Sequence, residues 1–230
     1  MQRLRPMALD SDAGPYGEHP GHVASLRDAL WRRPALLLGD IGSGDAFAGI
    51  VAQLVHDTLS WQIGASLGLR LRPGNVVDLF CYRSTPEDEA AREHRWCRPM
   101  HVITEQMAVL GRASYETQVM AMACSQMKWE IRDRFGAGAA VFEEGRCRSA
   151  IPSAADLPDD LCLRVSMVIG TPRLVIAPAP MGQVVAALRF MAGPAEAGYW
   201  GCVSVIDDRT EERTTVIITD PPRRQASGRA

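Results

Sequence analysis

An apolar run that stops at an acid and then turns on glycines constrains this chain more than any other stretch. It reads Leu36-Leu37-Leu38-Gly39-Asp40-Ile41-Gly42-Ser43-Gly44-Asp45-Ala46-Phe47. The order is that of a strand, a tight loop facing a ligand, and a helix N-terminus. Glycine lets the backbone turn sharply and approach a ligand with no Cβ in the way. A helix beginning just behind it offers unpaired N–H groups to an anion. Asp45 would stand in the first helical turn, where an acid complements the helix dipole.

The rest of the composition narrows the classes. With 230 residues, 47% of them hydrophobic and 23% charged, the chain can bury a core of its own. A formal net charge of −2 argues against coating nucleic acid or an anionic membrane by bulk charge, so nucleic acid is not an indicated partner. No run reaches the roughly 18–20 apolar residues that span a bilayer. No apolar segment of signal-peptide type follows Arg3 and Arg5. The six cysteines are scattered without a C-x-x-C pair. That is the pattern of free thiols in a reducing cytoplasm, with no metal site implied.

Periodicity gives an order of elements. Residues 1–20 read as a mobile arm, 21–220 as a single α/β domain and 221–230 as a polar tail. Helices are expected over 22–33, over 45 to about 67, and after the Ser84-Thr85-Pro86-Glu87 start. Further helices are expected over 113–135 and 180–191. Strands are expected over 35–40, 76–82, 100–107, 139–142, 161–169 and 173–177. A C-terminal β-hairpin is expected from Tyr199–Ile206 and Thr214–Thr219. Residues 143–160 read as a loop. The alternation predicts a mixed, mostly parallel sheet with flanking helices. His56 and Asp57, adjacent on the second helix, are expected on different faces.

Asp40-x-Gly42-x-Gly44 resembles the first motif of class I S-adenosylmethionine-dependent methyltransferases, D/E-x-G-x-G-x-G. Ala46 stands where that family has its third glycine. The resemblance implies S-adenosylmethionine as cofactor, bound against Asp40, Gly42, Gly44 and Asp45, and a small-molecule ligand of unread identity. It names no catalytic base. The family also expects an acid at the end of the second strand to hold the ribose, and here that strand ends Phe80-Cys81-Tyr82-Arg83.

Two other readings stay open. Gly42 to Gly49 resembles the G-A-G-D-x-F-x-x-G signature of ribokinase-like sugar kinases, which implies Asp45 as base toward a substrate hydroxyl. That family carries the signature near its C-terminal end, whereas most of this chain follows it. Alternatively the loop is a structural turn in a binding or homo-oligomeric assembly module, with the methionine-bearing helix 113–135 at an interface.

Overall fold

The computed structural model describes residues 20–61, 65–82, 115–133, 136–152, 157–191 and 201–218. The helices are α1 (Pro20–Arg32), α2 (Pro34–Leu38), α3 (Asp45–Trp61), α4 (Tyr115–Met122) and α5 (Met181–Met191). The strands are β1 (Ala65–Arg72), β2 (Val76–Tyr82), β3 (Cys124–Asp133), β4 (Gly136–Glu143) and β5 (Arg146–Pro152). They continue with β6 (Leu161–Ile169), β7 (Gly201–Asp207) and β8 (Glu212–Ile218). All pair into one eight-stranded sheet in the order β5-β4-β3-β6-β2-β1-β7-β8.

Strict alternation builds this sheet. Leu67, Leu69 and Leu71 of β1 are buried, as are Val77, Leu79 and Cys81 of β2, and Met127, Trp129 and Ile131 of β3. Leu163, Val165 and Met167 continue that face on β6. Side chains of α3, α4 and α5 join them in a single core. The residues between them point to the other face, as the period of two requires. There the charges pair across strands. Asp78 accepts hydrogen bonds from Arg72 Nη1 (2.9 Å) and Ser166 Oγ (2.6 Å). Glu130 accepts from Arg164 Nε (2.6 Å) and meets Lys128 Nζ at 2.9 Å. Arg70 is held by Asp208.

The sheet corrects the expected fold class. It is mostly antiparallel; among the named strands only β1 and β7 run parallel. Three local readings account for the difference. The helix from Asp45 ends at Trp61, and β1 follows with its own period of two. The expected helix 113–135 breaks after Met122, and Met127, Trp129 and Ile131 mark a strand within it. The expected loop 143–160 contains β5, joined to β4 by Glu144 and Gly145 at positive φ of 47° and 75°. Two positive φ values in a two-residue hairpin loop give a turn of the type I′ class.

The run expected as a strand over 35–40 is instead the short helix α2, which buries none of its residues. Pro34 at its first turn fixes a helical φ. Residues 173–177 form no strand either; only an isolated bridge links Thr171 and Leu174. The strands at 76–82 and 161–169, helix α5 and the C-terminal hairpin form where they were expected. The helix expected after Ser84 and the strand expected over 100–107 lie outside the described residues.

Gly145 tests the β4–β5 hairpin. A Cβ there would lie 2.5 Å from Met122 Cγ and 3.2 Å from its Cα, whereas Gly74, at φ 77°, has open space around it. Both substitutions to alanine strain the backbone, at a cost of more than about 0.5 kcal/mol each. Gly145→Ala should cost clearly more than Gly74→Ala in urea denaturation, because it also displaces α4.

Candidate functional site

The glycine loop spans the turn from α2 into α3, and several of its N–H groups bond to atoms of the loop itself. Gly42 N donates to Asp40 Oδ1 at 2.8 Å, and Asp45 N to Ser43 Oγ at 3.3 Å. Ala46 N donates to the Asp40 carbonyl at 3.2 Å, and Ala48 N to that of Gly44 at 2.9 Å. An anion held at a helix start needs N–H groups without acceptors. Here those of Gly42, Asp45 and Ala46 have acceptors within the loop.

The loop is also docked on the segment that precedes α5. Ala177 N donates to the Ile41 carbonyl at 2.8 Å. Gln183 Nε2 donates to Asp45 Oδ1. Gly44 is buried with φ 90°, and a Cβ there would fall 2.9 Å from Ala179 Cα. Its glycine character thus serves a close backbone approach. Asp40, Gly42 and Asp45 are exposed. The structure brings the sequence-predicted residues together, and the contacts they make are with the protein itself.

A second latch, which the sequence reading missed, closes on the same segment. Arg209 lies in the β7–β8 turn. Its Nε donates to Asp207 Oδ1 at 2.7 Å, and its Nη2 donates to Asp207 Oδ2 at 2.6 Å and to the Ala179 carbonyl at 2.8 Å. Its guanidinium stands 5.9 Å from the Phe47 ring centroid. Asp207 is buried. The hydrogen bonds from Arg209 outweigh burial and hold its carboxyl below the usual carboxylate range. The detectable signal was the Asp207-x-Arg209 spacing in a hairpin turn, where a side chain can reach back onto the chain.

The third polar cluster sits between α3 and α4. Asp57 is buried and accepts from Gln53 Nε2 at 2.6 Å and from Thr117 Oγ1 of α4 at 2.8 Å. His56 Nδ1 lies 3.5 Å from Asp57 Oδ1, so the neighbours on α3 interact although their burial differs. Both Asp57 oxygens are engaged, which suits a tie between two helices. Among the described residues, no group of three or more His, Cys, Asp or Glu is placed to hold a metal ion. No helix among them is long and apolar enough to cross a membrane.

Removing the Arg209 side chain leaves the buried Asp207 carboxylate with the Arg209 backbone N–H, 3.0 Å from Oδ1, in place of a guanidinium. Arg209→Ala should cost about 3 kcal/mol at neutral pH. A carboxyl whose folded pKa is depressed contributes stability above its unfolded value, about 3.9, and loses it as pH falls through the folded value. Thermal unfolding of the unsubstituted protein should therefore show an extra loss of stability below about pH 4. Arg209→Ala should show a smaller component of that kind, because only the backbone N–H of residue 209 still favours the charged form.

No protein-family model matches the sequence, and no curated protein matches it either. Among solved structures, the fold is similar to that of the B-subunit of the DNA gyrase from Myxococcus xanthus, with a TM-score of 0.54 and 15% sequence identity. The match covers 84% of this chain and 56% of that one, so this chain spans little more than half of the gyrase subunit. The likeness concerns the fold. It turns the functional reading away from a methyltransferase, as do the antiparallel sheet and the helix, in place of a strand, before the glycine loop.

Proposed function

We propose that this chain is a protein-docking subunit of a gyrase-like assembly that acts on DNA. The observation that carries the proposal is the fold match to a DNA gyrase B-subunit over 84% of the chain. The loop of Asp40, Gly42, Gly44 and Asp45 supports it from the other side, because the N–H groups of Gly42 and Asp45 and the Asp45 carboxylate already have partners within the protein. The cytoplasmic location expected from the cysteines fits the same reading.

Direct contact with DNA through the open sheet face suits the charges poorly. Arg70, Arg72, Lys128 and Arg164 on that face each hold a neighbouring carboxylate. A cation already paired with a carboxylate releases few counterions on meeting phosphate. The proposed work is therefore contact with another subunit, with DNA handled elsewhere in the assembly.

Sedimentation velocity of the purified chain mixed with the host's gyrase subunits tests this. A faster-moving complex is expected at micromolar concentrations. Independent sedimentation at about 10 µM, which excludes affinities stronger than about −7 kcal/mol, would sink the proposal. Calorimetric titration with Mg·ATP and with S-adenosylhomocysteine should give no saturable heat. A micromolar site for either would return the glycine loop to ligand binding.

A further inference from the structure

The surface above α2 carries an unusual pairing of exposed apolar side chains with guanidinium groups. Leu36 on α2 is 74% exposed and Val175 is 79% exposed. Two contacts join the segments that carry them. Arg173 Cζ stands 4.7 Å from the Trp31 ring centroid, and Ala177 N bonds the Ile41 carbonyl. The segment 173–177 is therefore anchored at both ends to residues 31 and 41, and Val175 and Leu36 lie between the two anchors in sequence.

Val175 is held out rigidly. Thr171 Oγ1 accepts from Arg173 N at 3.2 Å and from Leu174 N at 3.1 Å. Asn75 Nδ2 donates to the Ile176 carbonyl at 2.8 Å. Leu174 and Ile176 on either side are buried in the core, so alternation leaves Val175 facing outward. A pre-set apolar side chain loses little freedom when a partner covers it.

Among the described residues, basic groups outnumber acidic ones on the rim. Arg32, Arg33 and Arg173 are exposed, and Arg27 lies on the same helix with Cζ 5.9 Å from the Trp31 centroid. Arg27 Nε and Trp31 Nε1 are buried donors without an acceptor. Burial, and then the neighbouring Arg146, lower the Arg27 pKa against the pull of Glu144 and Asp28. An added carboxylate would relieve that repulsion. The nearest exposed acids in this stretch are Asp28 and Asp40, and Asp40 is turned onto Gly42 N.

We propose that Leu36, Val175 and the Trp31–Arg173 stack form the docking site for an acidic, leucine-bearing segment of a partner protein. Its apolar side chains cover Leu36 and Val175, and its carboxylates meet the guanidinium groups of Arg27, Arg32, Arg33 and Arg173. Charge complementarity selects this occupant: a basic segment would meet like charge, and a neutral one would gain nothing from the exposed guanidinium groups. Tryptophan and arginine beside exposed aliphatic groups are also the residue types that carry binding energy at interfaces. The inference deepens the docking reading above by naming the face and the partner's chemistry.

The test uses the full chain and a fluorescein-labelled amphipathic peptide of alternating Asp and Leu turns, with Asn/Leu and Lys/Leu counterparts. Anisotropy should show saturable binding of the acidic peptide alone, weakened at least tenfold by Arg173→Glu and by Leu36→Asp. High salt should weaken it as well. Phe190→Asp, on the exposed end of α5, should leave it unchanged. Equal binding of the three peptides, no saturation to about 1 mM, or indifference to Arg173→Glu and Leu36→Asp would overturn the assignment. A dimer of this chain that Leu36→Asp dissolves would overturn it in favour of a second copy. Should the peptide fail while the complex with gyrase subunits forms, the docking reading stands and this face is the wrong one.

Discussion

Helix α3 is apolar around almost its whole circumference, and the rest of the molecule is arranged to cover it. Phe47, Ile50, Val51, Leu54, Val55 and Leu59 are all buried. What remains is a narrow stripe of Asp45, Gly49, Gln53 and His56 at helical spacing. A helix of that kind is stable only inside a core. The sheet supplies one wall, and α4 and α5 supply the flanks. The approach is close enough that a Cβ at Gly201 of β7 would lie 2.5 Å from Leu59 Cδ2 and 2.8 Å from the Ala65 carbonyl.

The polar contacts near α3 follow from that burial. Even its outward stripe is tied down, Asp45 by Gln183 and Gln53 by Asp57. Asp57 in turn ties α3 to α4, and Arg209 pins the segment before α5 against Phe47 and Ala179. A buried polar group without a partner costs about 1–3 kcal/mol, and each of these groups has a hydrogen-bond partner within the protein. Groups committed to seating a helix are poorly placed to bind or turn over a ligand. That is why the functional reading moves from the glycine loop to the molecule's outer surfaces.

The sequence made some elements legible and hid others for a physical reason. β2, β6, α5 and the β7–β8 hairpin were readable because each is bounded by turn residues and has a clean period. β3 was hidden because Met120 and Met122 of α4 run into Met127, Trp129 and Ile131 across only Ala123 as a turn. With no glycine or proline between them, a period of 3.6 and a period of two merge into one apolar stretch. β1 was hidden behind α3 because apolar residues continue on both sides of Gly64, from Leu59 and Ile63 to Leu67 and Leu69. At the site, the close packing of the loop glycines was legible as a need for missing side chains, but what approaches them was not. Gly44 yields to Ala179 and Gln183, which are far away in the chain.

By itself the sequence determined the apolar faces, the tight turns and the near-neutral charge, because these depend on residue type and local spacing alone. The tertiary structure decided strand direction, since β1 reaches its parallel partner β7 only across more than half of the chain. It also decided the role of the loop at Asp40–Asp45. Glycines and an acid at a helix start serve an anion or the protein equally well, and the choice depends on which atoms arrive to occupy the space. Here they are those of Ala177, Ala179 and Gln183, brought together by the burial of α3.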